Sequence, residues 1–306
     1  MNQLALLIAA TLNAGTVLAL ASLGLLINER AGVVNLGAEG IMLVAAVAGF
    51  ATAVHTESSI LAFGAGALSG AFLAACFGVL VIWLHANQYA AGLALSLFGA
   101  GVSAFVGVPY TQEKLVAQGD LGIAGLRDLP FLGPALFKQH SLVYLTMALT
   151  VALAYLLVRS RVGLVLRAIG ESPESAHALG YPVQRLRLLA VMFGGASCGV
   201  AGAYLSTVYT PLWVEGMVAG KGFIALALTT FATWRPVRVL AGAYLFGGVT
   251  MLQFHLQSAG IQIETHWLSM LPYLVTIFVL VLISRKPGFI RVNMPASLGK
   301  PFVPEG

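Results

Sequence analysis

Nine apolar runs dominate this sequence, and most are long enough to cross a bilayer as a helix. They lie near residues 4–26, 33–54, 60–84, 88–107, 140–158, 188–209, 219–233, 239–254 and 269–284. A bilayer core takes about 20 helical residues, and inside it the backbone must satisfy its own hydrogen bonds. The pattern predicts an all-α integral membrane protein in which residues 1–306 form a single polytopic domain. The last three runs are short, which favours discontinuous or re-entrant segments for some of them.

Composition excludes a water-soluble fold for this chain. Charged residues make up 9% of it, whereas about 25% is usual in soluble domains. A pI near 9.4 would suit a nucleic-acid partner, but the basic residues lie in loops beside the apolar runs, where membrane topology explains them. We therefore expect membrane lipid around the chain and no nucleic-acid polymer as a partner.

The distribution of Lys and Arg predicts an orientation. If the loop 159–187 is cytoplasmic, alternation of the spans places twelve of the sixteen basic residues on that side. By the positive-inside rule, the chain lies in the inner (plasma) membrane with its N-terminus outside and its C-terminus, 285–306, as a cytoplasmic tail. Segment 108–139 is then the one long outer loop. Its mixture of Gly, Pro and charges fits a loop folded onto the outer mouth and a plain connector equally well.

The longest polar interval on the basic side is 159–187, which carries five Arg against two Glu. Pro173 suits the first turn of a short helix, Ser172 suits its N-cap, and Gly180 with Pro182 suits its end. Such a helix is either a surface element at the lipid headgroups or a lever that a soluble partner grips. Topology alone favours the surface element.

A carboxylate marks the start of the second apolar run. Asn35 and Glu39 are four residues apart and share a face if the segment is helical. A carboxylate inside a membrane segment is costly unless it is paired or hydrated. We expect Glu39 to cap a helix or form a salt bridge near the cytoplasmic interface, and the alternative is a place in a pathway. The glycines around it fit close packing or a broken helix, and they are Gly32, Gly37 and Gly40.

The second half has a possible counterpart, in which Gly220, Lys221, Gly222 and Phe223 begin a short apolar run that ends at Trp234. Gly-interrupted hydrophobic segments at matching places in two halves indicate a transport pathway. The sequence similarity between the two segments is weak.

No catalytic or metal-binding pattern stands out. Cys76 and Cys198 lie within apolar runs and are expected to be packing residues. No phosphate-binding loop is present, so any ATP must be bound by another polypeptide. The six His residues lack metal-ligand spacing and are interpreted as interfacial: His55, His85, His140, His177, His255 and His266.

Three motifs resemble those of ABC transporter permeases of the nucleoside and simple-sugar class. Residues 163–180 resemble the cytoplasmic coupling segment, G-x-x-L-R-A-x-G-x-N-P-x-A-A-x-x-x-G, with Ser172 in place of Asn and Ser175 in place of the first Ala. Residues 32–41 resemble the first-half signature G-x-x-N-[IL]-G-x-E-G. Residues 220–236 resemble the second-half signature, although T-F-A-T-W-R-P stands where I-F-G-x-W-x-P is common.

The resemblance implies a type II-like importer permease, whose coupling segment 160–184 docks on a cytoplasmic ABC ATPase. ATP and Mg would be bound by that ATPase, with no cofactor on this chain. A second permease subunit and an extracytoplasmic solute-binding protein are further implied partners. The implied coupling residues are Arg167, Glu171, Pro173, Glu174, Ala176, Leu179 and Gly180. The implied pathway or signature residues are Asn35, Gly37, Glu39, Gly40, Lys221, Gly222 and Phe223.

Three alternatives stay open at this point. A branched-chain amino-acid permease shares the fold class and a similar N-x-x-x-E pattern. A secondary carrier that works without ATP would need an intramembrane charge relay, for which the sequence offers only Glu39. A membrane-embedded enzyme would need a buried catalytic cluster.

Overall fold

The computed structural model describes residues 2–115, 132–258 and 293–303, together with the single residues 270, 274, 277, 278 and 281. The described residues form ten α-helices and no strand. In chain order they are α1 (Asn2–Arg30), α2 (Ala38–Thr56), α3 (Ser59–Gly78), α4 (Gln88–Gly107), α5 (Ser141–Arg159), α6 (Arg161–Glu171), α7 (Pro173–Ala178), α8 (Val183–Tyr204), α9 (Lys221–Phe231) and α10 (Pro236–Ser258). Helical turns extend α3 through Val79–Trp83 and α8 through Leu205–Tyr209.

Seven helical stretches among the described residues are long and apolar enough to cross a membrane. They are Gln3–Arg30, Ala38–Thr56, Ser59–Trp83, Gln88–Tyr110, Ser141–Arg159, Val183–Tyr209 and Pro236–Gln257. The prediction of an all-α membrane fold is confirmed, and the count of nine segments is approximate. The run 219–233 becomes the 11-residue α9, which is too short to span. The run 239–254 is part of a full-length span, and 269–284 lies outside the described residues.

Glycines allow the backbones of the central helices to approach one another closely. The hydrophobic core lies among α1, α2, α3 and α8. At Gly70 of α3, a Cβ atom would collide with the backbone of Gly195 and Gly199 on α8. Backbones in such contact form the tight packing that small residues permit in membranes.

The described ends of the segment 108–139 pack on neighbouring elements. The Leu115 N–H donates to Pro211 O at 3.1 Å, beside an isolated bridge between Lys114 and Leu212. At the other end, the Asn13 Nδ2 group donates to Gln139 Oε1 at 2.9 Å. Both ends of this segment are therefore fixed to the helix bundle, and 116–131 lie outside the described residues.

Candidate functional site

The two signature segments meet at Glu39. The carboxylate of Glu39, in the first turn of α2, accepts hydrogen bonds from the first N–H groups of α9. The Gly220 N–H donates to Oε1 at 2.8 Å and the Gly222 N–H donates to Oε2 at 2.7 Å. A helix leaves its first N–H groups without intrahelical partners, and its dipole makes that end positive. A carboxylate from the first half of the chain therefore caps a helix of the second half, 181 residues away. We call this contact of Glu39 with Gly220 and Gly222 the α2–α9 junction.

Two glycines make this contact possible. Gly220 has φ of +80°, in the left-handed region that favours glycine. A Cβ atom on Gly222 would collide with the backbone N and Cα of Glu39. The Gly-Lys-Gly pattern therefore supplies both the bend before α9 and the close approach of α9 to α2.

The start of α9 packs against the first turn of α2. Eleven helical residues rise about 16 Å, roughly half of a bilayer core. The end of α9 is followed by Trp234 and by Arg235, which is exposed. Glu39 and Arg235 are therefore separated along α9 by about the length of that helix, roughly 16 Å. The capping role of Glu39 agrees with one of the two expectations for this residue.

The segment 31–37 that leads to Glu39 is buried and anchored by α4. The Val34 N–H donates to Gln88 Oε1 at 2.8 Å, and Ser96 Oγ donates to Leu36 O at 2.8 Å. Asn35 Oδ1 accepts from the Gly37 N–H at 2.9 Å. The buried Nδ2 group of Asn35 has no hydrogen-bond partner among the described residues. One amide donor beside the α2–α9 junction is thus left unused.

The structure brings most of the predicted pathway residues to this junction. Gly37 packs against Leu95, and Gly40 packs against Gly99 of α4. Lys221 Nζ donates to Val218 O at 3.1 Å. Phe223 is 41% exposed.

A second carboxylate, Glu29, was not identified as functional from the sequence. It binds residues at the C-terminal end of α9. Glu29 is 2% exposed, and Thr229 Oγ1 donates to its Oε1 at 2.7 Å while Trp234 Nε1 donates to its Oε2. The Arg30 Nη2 group donates to Trp234 O at 2.8 Å. Trp234 belongs to the second-half motif. Because a buried indole N–H requires a hydrogen-bond acceptor, this Trp was the feature of the sequence that could have indicated a partner such as Glu29. Both ends of α9 are therefore held by carboxylates from the first half.

We predict a contrast between two substitutions at Glu29. In Glu29→Gln, the amide oxygen can accept from Trp234 and the amide N–H can donate to Thr229, whose hydroxyl also donates to Leu226 O. Because both hydrogen bonds are kept in altered form, the expected cost is below about 1 kcal/mol. Glu29→Leu leaves the indole N–H unpaired and should destabilise by about 2–3 kcal/mol. Thermal unfolding of the purified chain measures both, and equal midpoints would contradict the hydrogen-bond assignment.

The predicted coupling segment contains the short helix α7, which has a buried face and an exposed face. The predicted helix and cap are confirmed, because α7 begins at Pro173 and the Ser175 N–H donates to Ser172 Oγ at 3.3 Å. It ends at Ala178, two residues before Gly180, whose φ is +87°. Pro173 and Ala176 are buried.

The other face of this segment is exposed to solvent. Leu179, directly after α7, is 77% exposed. Four further predicted coupling residues are also exposed, and they are Arg167, Glu171, Glu174 and Gly180. The seven residues thus divide into two that anchor α7 and five that are available to a partner.

Seven membrane-length helical stretches in the described part of the chain, with a half-length helix α9 whose N-terminus is capped by Glu39, fit a polytopic transport protein. The chain belongs to the family described as branched-chain amino acid transport system / permease component, whose profile matches residues 7–280. It is an ABC transporter permease and a multi-pass membrane protein, so the assignment from the three motifs is confirmed.

Curated relatives cover almost the whole chain. A putative glucose ABC transporter permease protein of Haloferax volcanii is 41% identical over 95% of both chains. A nucleoside ABC transporter permease protein of Lactococcus lactis is 32% identical over 93% of this chain and 94% of its own. A guanosine ABC transporter permease protein of Bacillus subtilis is 30% identical over 98% and 97%. No solved structure matches the chain.

Proposed function

We propose that this chain forms the translocation pathway of an ABC importer for a neutral polar solute, a nucleoside or a sugar. The names of the three relatives, which give glucose, a nucleoside and guanosine, support this class. The family description names branched-chain amino acids, which keeps those as the second candidate.

The names of the relatives carry the choice of a neutral solute. The α2–α9 junction is compatible with that choice, and the similar N-x-x-x-E pattern of branched-chain amino-acid permeases means that it does not by itself separate the two candidates. In transporters with broken helices, the free positive N-terminus of a half-helix suits the carboxylate of an amino acid. Here Glu39 already occupies the N-terminus of α9 through two hydrogen bonds. A second carboxylate at this place would meet a negative charge instead of free N–H groups. The buried amide donor of Asn35 has no partner among the described residues and suits any acceptor oxygen, including a hydroxyl or carbonyl of such a solute.

The coupling segment 160–184 is proposed to dock on a cytoplasmic ABC ATPase that binds ATP and Mg. The exposed residues Leu179 and Glu174 would contact the ATPase, while the buried anchors Pro173 and Ala176 pass its movement to the bundle. A second permease subunit, either this chain or a paralogue, and an extracytoplasmic solute-binding protein complete the transporter. The N-terminus is placed outside and the tail 285–306 in the cytoplasm, because this orientation puts most basic residues inside.

The test combines partner recovery with uptake. The full-length tagged chain, expressed in its own host, is purified in detergent, and the proteins that accompany it are identified by mass spectrometry. We expect an ABC ATPase among them. Recovery of the chain alone, with ATP-independent uptake in liposomes, would support a secondary carrier instead.

Uptake of labelled guanosine, glucose and leucine is then compared in cells with and without the chain. Loss of guanosine or glucose uptake with unchanged leucine uptake is the expected result. Loss of leucine uptake alone would favour the branched-chain amino-acid permease.

A further inference from the structure

The described part of the C-terminal tail, residues 293–303, contacts α6 and α7 and also the loop 31–37, which leads to Glu39 and is called the pathway loop below. We name these residues the strap. We propose that the strap transmits movement of α6 and α7 to the loop 31–37, and hence to the α2–α9 junction, with Ser297 and Arg187 as the positioning residues. This inference rests on the proposed coupling function of α6 and α7.

The first contact is with the end of α6. The Ser297 N–H donates to Gly170 O at 3.0 Å, and Ser297 Oγ donates to the same oxygen at 2.7 Å. The last carbonyl groups of a helix lack intrahelical partners, so the strap caps α6 directly before α7 begins. A Cβ atom on Gly170 would collide with Arg30 O, so this turn of α6 also lies directly against the end of α1.

An apolar contact joins the strap to α7 itself. Phe302 is buried in one cluster with Ile169 of α6, Ala176 of α7 and Val183 of α8. The ring of His177 lies edge-on to Phe302, with centroids 5.7 Å apart. Phe302 therefore packs against both α6 and α7.

The second contact is with the loop that leads to Glu39. The Gly299 N–H donates to Gly32 O at 3.1 Å. Gly32 has φ of +90°, and the space beside its Cα is filled by Ser297 Oγ and by the Arg187 guanidinium. Residues 297–299 thus contact α6 on one side and the start of the pathway loop on the other.

Arg187 connects these contacts to α8. It is 3% exposed, its Nη2 group donates to Ser297 Oγ at 2.9 Å, and its guanidinium lies 6.0 Å from the ring centroid of Phe302. A buried charge requires polar partners, so it holds Ser297 in place. Ser297 therefore links α6, α8 and Gly32 through one side chain and its neighbours.

The linkage is tested first on the purified full-length chain by amide hydrogen exchange with mass spectrometry. Ser297→Ala keeps the backbone N–H but removes the hydroxyl that bonds Arg187 and Gly170. We expect exchange to rise at least tenfold in peptides covering both 31–37 and 169–180. Val303→Ala, which alters an exposed neighbour in the strap, should match the wild type.

Faster exchange at 169–180 alone, or at neither segment, would overturn the linkage. Absence of Ser297→Ala from the membrane, with Val303→Ala present, would also overturn it, because the strap would then serve folding only.

The second test uses the transporter assembled with its ATPase. Ser297→Ala should keep ATPase co-purification and ATP turnover, while solute uptake per ATP hydrolysed falls at least fivefold. Unchanged uptake per ATP, or loss of the ATPase from this variant, would overturn the transmission role. A wild-type chain that recovers no ATPase would instead refute the proposed function, and hydrogen exchange would still decide the linkage.

Discussion

Glu39→Gln is expected to lower solute uptake at least tenfold and to lower the thermal unfolding midpoint of the purified chain. The carboxylate accepts from two backbone N–H groups, and neither of these donors can reverse its role. The amide of Gln offers one acceptor and places an NH₂ group against the other N–H. The loss of one charge-assisted hydrogen bond at a helix N-terminus costs about 2–3 kcal/mol.

The effect at Glu39 should exceed that of the same change at Glu29, where a hydroxyl partner can adapt. Glu57→Gln, on an exposed residue just after α2, is the control for uptake and should match the wild type. Glu39→Asp keeps the charge but is one methylene shorter, so we expect an intermediate loss. Wild-type uptake in Glu39→Gln would show that the α2–α9 junction is not part of the pathway.

Local features of the fold could be predicted from the sequence because their causes are local. The helix at Pro173 follows from a cap, a helix-starting proline and a stop glycine within nine residues. The long spans follow from apolar length alone. The short apolar run 219–233 indicated that α9 is too short to span the membrane. The equally short run 239–254, however, belongs to the full-length span Pro236–Gln257, so the length of an apolar run does not fix the boundaries of its helix.

Long-range partners could not be predicted. Glu39 and Glu29 were both visible as carboxylates near apolar runs, yet their partners at Gly220, Gly222 and Trp234 lie about 200 residues away. Periodicity and spacing describe neighbours along one helix and carry no information about which helix lies opposite. Ser297 was not identified for the same reason, since its role depends on Gly170 and Arg187.

Leu179→Ala is expected to weaken binding of the ATPase about 30-fold, with a matching loss of uptake and no change in the thermal unfolding midpoint. Leu179 is the exposed apolar residue after α7, so its truncation removes contact area from the docking face without disturbing the buried anchors Pro173 and Ala176. Full burial of a Leu side chain in the interface contributes about 2 kcal/mol, which corresponds to that change in affinity. Titration of the purified chain with the ATPase measures the affinity. Leu179→Met keeps the apolar volume and should bind like the wild type. Wild-type affinity in Leu179→Ala would place the ATPase contact elsewhere on the loop side.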